Sequence, residues 1–141
     1  GKKGKGIFPI ISSMPKDNHS LMQLYLDGQK KNFFTFFNTQ EKSSGKINSR
    51  NILGEIDYLK KKNLGDILSS QIYATQKVFN KKKIPFRSFT IRNRSEEALG
   101  ELFSFFILET ILIAKAIAVN PYDQPAVELI KIETKKILKS S

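Results

Sequence analysis

Phe33-Phe34-Thr35-Phe36-Phe37 and Phe86-Arg87-Ser88-Phe89-Thr90-Ile91 are the stretches that decide the fold. The first is an aromatic run bounded by polar residues, and its residue types suit a pleated surface, which predicts a buried strand. The second alternates well enough to predict another strand. Between them, 51–62 reads as one helix, Asn63-Leu-Gly-Asp66 interrupts it, and 66–82 reads as a second. In that second helix Ile67, Ser70, Tyr73 or Ala74, and Val78 fall at helical spacing. After the second strand, Ser95-Glu96-Glu97 supplies an N-cap with acids in the first turn and opens a long helix to about Val119. Asn120-Pro121 stops it, and Pro125 at a first-turn position starts a last helix to about Leu138. Strand, helix, strand, helix in this order predicts an α/β fold with a parallel sheet and helical crossovers. Two strands are too few for a complete sheet of that kind. The chain therefore reads as the end of a longer protein, or as one that pairs with another chain.

Working outward, residues 1–6 (Gly-Lys-Lys-Gly-Lys-Gly) are too polar and glycine-rich to fold alone. Gly6 to Ile11 is apolar and extended, with Pro9 arguing against a helix. A turn at Pro15 leads into a short helix over 20–27, marked by Leu21, Leu24 and Tyr25 and closed by Gly28. Asn38 to Ser49 reads as a polar surface loop. Leu102 to Val119 is nearly apolar over almost a membrane's thickness. Glu109 and Lys115 interrupt it, and each costs roughly 2.5–3.5 kcal/mol near a bilayer centre. The segment is expected to be a core helix, with Glu109 buried and hydrogen-bonded.

Composition removes several function classes. The 141 residues include no Cys, so a disulfide scaffold, a thiolate metal site and a Cys nucleophile are excluded. A lone His leaves no His-rich metal cluster. With 40% hydrophobic residues and 11 Phe, the bulk of the chain is expected to fold. The net charge of +11 first points to an anionic partner. Yet only Arg50, Arg87, Arg92 and Arg94 provide the planar fork that reads phosphates bidentately, and the Lys residues are spread along the chain. The charge reads as solvated lysine, and neither nucleic acid nor membrane is expected as a partner. No charged-then-apolar leader opens the sequence, so a soluble cytoplasmic protein is expected.

Three places can carry chemistry. His19 lies at or just before the start of the 20–27 helix, where the dipole penalises imidazolium. It reads either as a surface residue beside a cap or as a neutral imidazole able to relay a proton. Lys131 falls at the edge of the last helix's apolar face, near Val127 and Leu138. It reads either as a snorkelling side chain or as a half-desolvated proton donor and anion clamp. In Asn120-Pro121-Tyr122-Asp123-Gln124-Pro125, two prolines fix a rigid corner, and Asp123 and Gln124 sit where a new helix offers free N–H groups. The corner is either helix punctuation or a place for an anionic ligand.

Asn120-Pro-Tyr-Asp-Gln-Pro-Ala-Val-Glu-Leu-Ile-Lys131 resembles the C-terminal signature of the glucose-6-phosphate isomerase family, Asn-Pro-Phe-Asp-Gln-Pro-Gly-Val-Glu followed after two residues by an essential Lys. Asp17-Asn-His-Ser-Leu-Met-Gln-Leu-Tyr-Leu-Asp-Gly28 resembles that family's Gln-His-Ser-x-x-Gln-Leu-Tyr-x-x-Gly segment, and Gly4-Lys-Gly-Ile-Phe-Pro-Ile10 its Gly-Lys-Gly-Ile-Thr-Pro stretch. Glu97 to Val119 is similar to the long helix that leads into the signature. The resemblance implies an aldose–ketose isomerase of glycolysis and gluconeogenesis, built from two sugar-isomerase (SIS) domains. Residues 1–141 would be the C-terminal part of the second, within a SIS-type parallel sheet flanked by helices. It implies that His19 helps to open the sugar ring and acts in the partner subunit's site of a homodimer. Lys131 assists ring opening and proton movement at the O5/O1 end, and Gln124 lies near the bound sugar phosphate. A proton moves from C2 to C1 through a cis-enediol, with a Glu as base, and no metal or organic cofactor is implied. The catalytic Glu, the Ser/Thr phosphate loop and an enediolate-stabilising Arg belong to earlier family segments that this chain lacks. The chain alone is therefore expected to be inactive. It also departs from the pattern in having Tyr122 for Phe, Ala126 for Gly and Asn18 for Gln. The alternative reading is a non-catalytic SIS-like module that binds phosphosugars or regulates.

Overall fold

The computed structural model describes residues 2–40, 46 and 54–140. It is α/β. A parallel two-stranded sheet, β1 (Phe34–Thr39) and β2 (Phe86–Ile91), is joined by the helix α2 (Leu64–Lys81). A short helix α1 (Met22–Asp27) precedes β1, and two helices follow β2: α3 (Glu96–Ala116) and α4 (Pro125–Ser140). The chain divides into two units, one of residues 10–99 and one of residues 1–9 with 100–141.

In the sheet unit the strands pair in register, Phe34 opposite Phe86 through Thr39 opposite Ile91. Alternation sends Phe34, Phe36, Phe86 and Ser88 to one face. There Phe79 of α2 meets Phe34 and Phe36 edge to face, with ring centroids 4.9 and 5.3 Å away, and Gln76 donates to Ser88 Oγ at 3.0 Å. Such pairs add about 0.5–1.5 kcal/mol to the burial itself. Phe79, 1% exposed, is the most deeply buried large side chain, and Ile84 beside it is also buried. On the opposite face Phe37 stacks on Phe89 at 5.6 Å. The Arg87 guanidinium lies over Phe33 and Phe89 and donates to Thr35 Oγ1 at 3.0 Å.

The aromatic run is a strand, but a half-buried one, with Phe33 and Phe37 largely exposed. Parallel sheets are ordinarily covered on both faces, and here α2 covers only one. The helices also begin and end at places set by local hydrogen bonding. Asn63, read above as part of an interruption, is the N-cap of α2. Its Oδ1 accepts from the Asp66 N–H at 2.8 Å, and Asp66 Oδ2 accepts from the Asn63 N–H at 3.0 Å. This reciprocal pair starts the helix two residues earlier than periodicity placed it. Gly54–Leu59 forms a 3₁₀ segment with a kink at Ile56 where an α-helix over 51–62 was expected; residues 51–53 lie outside the described residues. The expected loop over 38–49 falls mostly outside them as well, apart from the strand end at Thr39, Gln40, and Lys46, which bridges to Asn63. Gly28 closes α1 by close approach, its N–H donating to Leu24 O at 2.9 Å. A Cβ there would lie 2.4 Å from the same oxygen.

At the end of the sheet unit, Ser95 Oγ accepts from the Ala98 N–H at 3.3 Å as α3 begins. The helix ends at Ala116, where Val119 N–H bonds to Ala114 O and Ala118 N–H to Lys115 O, with Ala118 left-handed at φ 56°. That is a Schellman ending built on a non-glycine residue. The expectation of a core helix is not met within this chain. Ala114 is its one buried residue, Glu109 is half-buried, and Phe103, Ile107, Leu108 and Leu112 are exposed. No described helix is long and apolar enough to cross a membrane.

Candidate functional site

The corner between α3 and α4 is built by short-range bonds. Asn120 Oδ1 accepts from the Tyr122 N–H at 3.0 Å, an Asx turn that bends the chain just after α3. Pro125 opens α4, and Gln124 O accepts from the Val127 and Glu128 N–H groups at 3.0 and 3.3 Å, so Gln124 is the residue from which the helix springs. Residues 124, 128 and 131 fall four and seven positions along, on one face, with Gln124 and Lys131 about 10 Å apart along the axis.

Lys131 Nζ donates to Glu128 Oε1 at 2.6 Å, one turn back on the same helix. Its side chain is 66% exposed, so in this chain the ammonium is solvated. Among the described residues none buries the apolar face of α4, whose own residues are all unburied. A solvated pair of this kind holds the ammonium by only about 0–1 kcal/mol and leaves it free to exchange its partner for an anion.

Next to Gln124, the Asp123 carboxylate accepts from the Lys2 ammonium, which also donates to Asn120 O. The hydrogen bond to Lys2 holds the Asp123 carboxyl below the usual carboxylate range. Lys5 Nζ donates to Ile117 O at 3.0 Å. Reading the sequence did not single out Lys2 for this corner. The contact spans about 120 residues, and no local pattern encodes it.

His19 belongs to the sheet unit, and Gln124 and Lys131 to the helical one. The imidazole is exposed, in the turn between a 3₁₀ segment (Lys16–Asn18) and α1, three residues ahead of Met22. Asp17 organises that turn. Its Oδ2 accepts from the Ser13 N–H at 2.6 Å, and its main-chain oxygen accepts from the Leu21 N–H at 2.9 Å. The segment is moored to the sheet through Tyr25, whose hydroxyl shares a 2.7 Å hydrogen bond with Ser12 Oγ and whose ring meets Phe34 at 5.0 Å. His19 thus rides on a turn tied by few bonds to the aromatic core, with its ring in solvent.

No protein-family model matches the chain. The glucose-6-phosphate isomerase of Methanocaldococcus jannaschii is 33% identical over 138 residues, which is 97% of this chain and 33% of that protein. That of Mycoplasmopsis synoviae (strain 53) is 32% identical over 134 residues, 93% of this chain and 31% of that protein. The chain is thus similar to glucose-6-phosphate isomerases over nearly all of its own length. It spans about a third of the length of these isomerases. The glucose-6-phosphate isomerase of Mycoplasmopsis pulmonis gives the same picture, at 33% identity over 98% of this chain. Among solved structures, a hypothetical protein from Thermus thermophilus superposes with a TM-score of 0.77 at 26% identity, covering 89% of this chain and 30% of that one. Most of this chain thus matches less than a third of a longer polypeptide.

Proposed function

We propose that the chain is the C-terminal portion, within the second SIS domain, of an aldose–ketose isomerase that interconverts glucose-6-phosphate and fructose-6-phosphate. The observation that carries this reading is the likeness to glucose-6-phosphate isomerases over nearly the whole chain, at 32–33% identity over 93–98% of its residues. In the proposed reaction His19, in the partner subunit's site of a homodimer, moves the proton that opens the sugar ring. Lys131 releases Glu128 and stabilises the charge that develops on the ring oxygen, an interaction made in the transition state. Gln124 contacts the bound sugar. The base that carries the proton from C2 to C1 comes from another part of the polypeptide, so residues 1–141 alone turn over no sugar phosphate. The setting is cytoplasmic carbohydrate metabolism.

The test is a coupled assay from fructose-6-phosphate on the full-length polypeptide. Lys131→Ala lowers kcat by roughly 10²-fold, the scale of one lost proton-transfer or oxyanion group, and changes KM less. His19→Ala impairs the cyclic sugar more than an open-chain substrate. Undiminished kcat in Lys131→Ala overturns the assignment. Sugar-phosphate binding without turnover favours the non-catalytic phosphosugar-binding module instead.

A further inference from the structure

We propose that Lys2 and Lys5 are positioning residues that staple the corner carrying Gln124. The carbonyls at the end of a helix lack intrahelical partners. In α3 the Schellman bonds use Ala114 O and Lys115 O, and the two lysines take oxygens of the outgoing chain: Lys5 that of Ile117 at 3.0 Å, Lys2 that of Asn120. Cations suit this end of a helix. The Lys2 ammonium also binds the Asp123 carboxylate, one residue before α4 springs from Gln124. One ammonium therefore ties the exit of α3 to the entry of α4. Its side chain is only 26% exposed, against 66% for Lys131.

The backbone of residues 2–5 is shaped to deliver both ammonium groups. Lys3 and Gly4 are successive left-handed residues, φ 54° and 69°, and Lys5 N–H closes the turn on Lys2 O at 2.9 Å. Glycine takes this conformation at little cost, while Lys3 is held there against its preference. The charge-assisted bonds to Asn120, Asp123 and Ile117 offset that preference. The Asx turn at Asn120 sets the bend locally, and the staple holds both sides of it. The link from the staple to substrate through Gln124 rests on the isomerase reading above.

The experiment uses the full-length polypeptide and three substitutions: Lys2→Met, Lys2→Arg and, as a control on α4, Lys136→Met. Without substrate, NMR follows the Asp123 carboxyl titration and the amide signals of Tyr122 to Gln124. In Lys2→Met the Asp123 titration rises toward the ordinary carboxylate range and those amides shift. Lys2→Arg keeps it low, and Lys136→Met matches wild type. With fructose-6-phosphate, Lys2→Met lowers kcat/KM by roughly tenfold, mainly through KM, part of the ~10²-fold that a 1 Å misplacement costs. Lys2→Arg recovers most of it. Identical Asp123 titration in wild type and Lys2→Met overturns the staple. A moved titration with unchanged kcat/KM overturns the positioning role. If the wild-type polypeptide has no isomerase activity, the functional reading fails while the titration still decides the staple.

Discussion

In residues 10–99, Phe79 of α2 is closed off by rings from both strands, whereas among the described residues of the other unit only Ala114 is buried and α4 buries nothing. Both regions are rich in apolar side chains. They differ in layering. A strand pair with a helix laid on it already makes two layers, so Phe34, Phe36, Phe79 and Phe86 find one another within a single βαβ unit. α3 is apolar on nearly every side, the pattern of a helix surrounded by protein. α4 carries one apolar stripe, with Val127, Ile130 and Ile137 exposed. Among the described residues, most of the stripe and much of the cylinder stay exposed, in a chain that spans about a third of the length of the isomerases it resembles. One unit holds a small core of its own, and the other presents surfaces of the kind that a larger fold buries.

This contrast can be broken most directly at its two extremes. Phe79→Ala should destabilise residues 10–99 by about 3–5 kcal/mol, read as a urea midpoint shift at constant slope, while Ile130→Ala on α4 should change the same curve by less than about 0.5 kcal/mol. Equal effects would show that α4 is as well packed as the sheet. A smaller loss, about 1–3 kcal/mol, is expected for Gly28→Ala in thermal unfolding, because the new Cβ meets Leu24 O at 2.4 Å with no flexible atom to yield. An unchanged melting temperature would mean that α1 ends differently.

In the helical unit the expected sign reverses. Ala118→Gly relieves a left-handed alanine and should stabilise by up to about 1 kcal/mol, again by thermal unfolding. A destabilised variant would place the end of α3 elsewhere. The smallest effect concerns Asp27, whose carboxyl is held below its ordinary range by the hydrogen bond and charge of Lys82. A lowered carboxyl contributes stability that is complete above the unfolded value near 3.9 and is lost as pH falls through the lowered one. Asp27→Asn should therefore melt slightly below wild type at pH 6, with the gap closing in acid. A gap that persists at low pH would exclude this ion pair as its cause.

Local signals placed most of these elements. The Phe33–Phe37 run, the alternation over Phe86–Ile91, Pro125 and Gly28 each act within a few residues, by sterics or by the period of a strand or helix, and all four mark elements of the structure. The parallel pairing followed from their order. His19, Gln124 and Lys131 could be named from sequence because each sits in a short segment of recognisable pattern.

What only the tertiary structure decided is which apolar residues are covered and which distant polar groups meet. Periodicity reports that a face is apolar and says nothing of whether a second layer lies on it. The aromatic strand is therefore half-buried, and Lys131 is solvated against Glu128. The start of α2 turned on reciprocal bonds between Asn63 and Asp66 rather than on hydrophobic spacing. The Lys2–Asp123 pair is the extreme case. Two ordinary surface residues, separated by about 120 positions, meet because the backbone brings them together, and no composition or spacing encodes that approach.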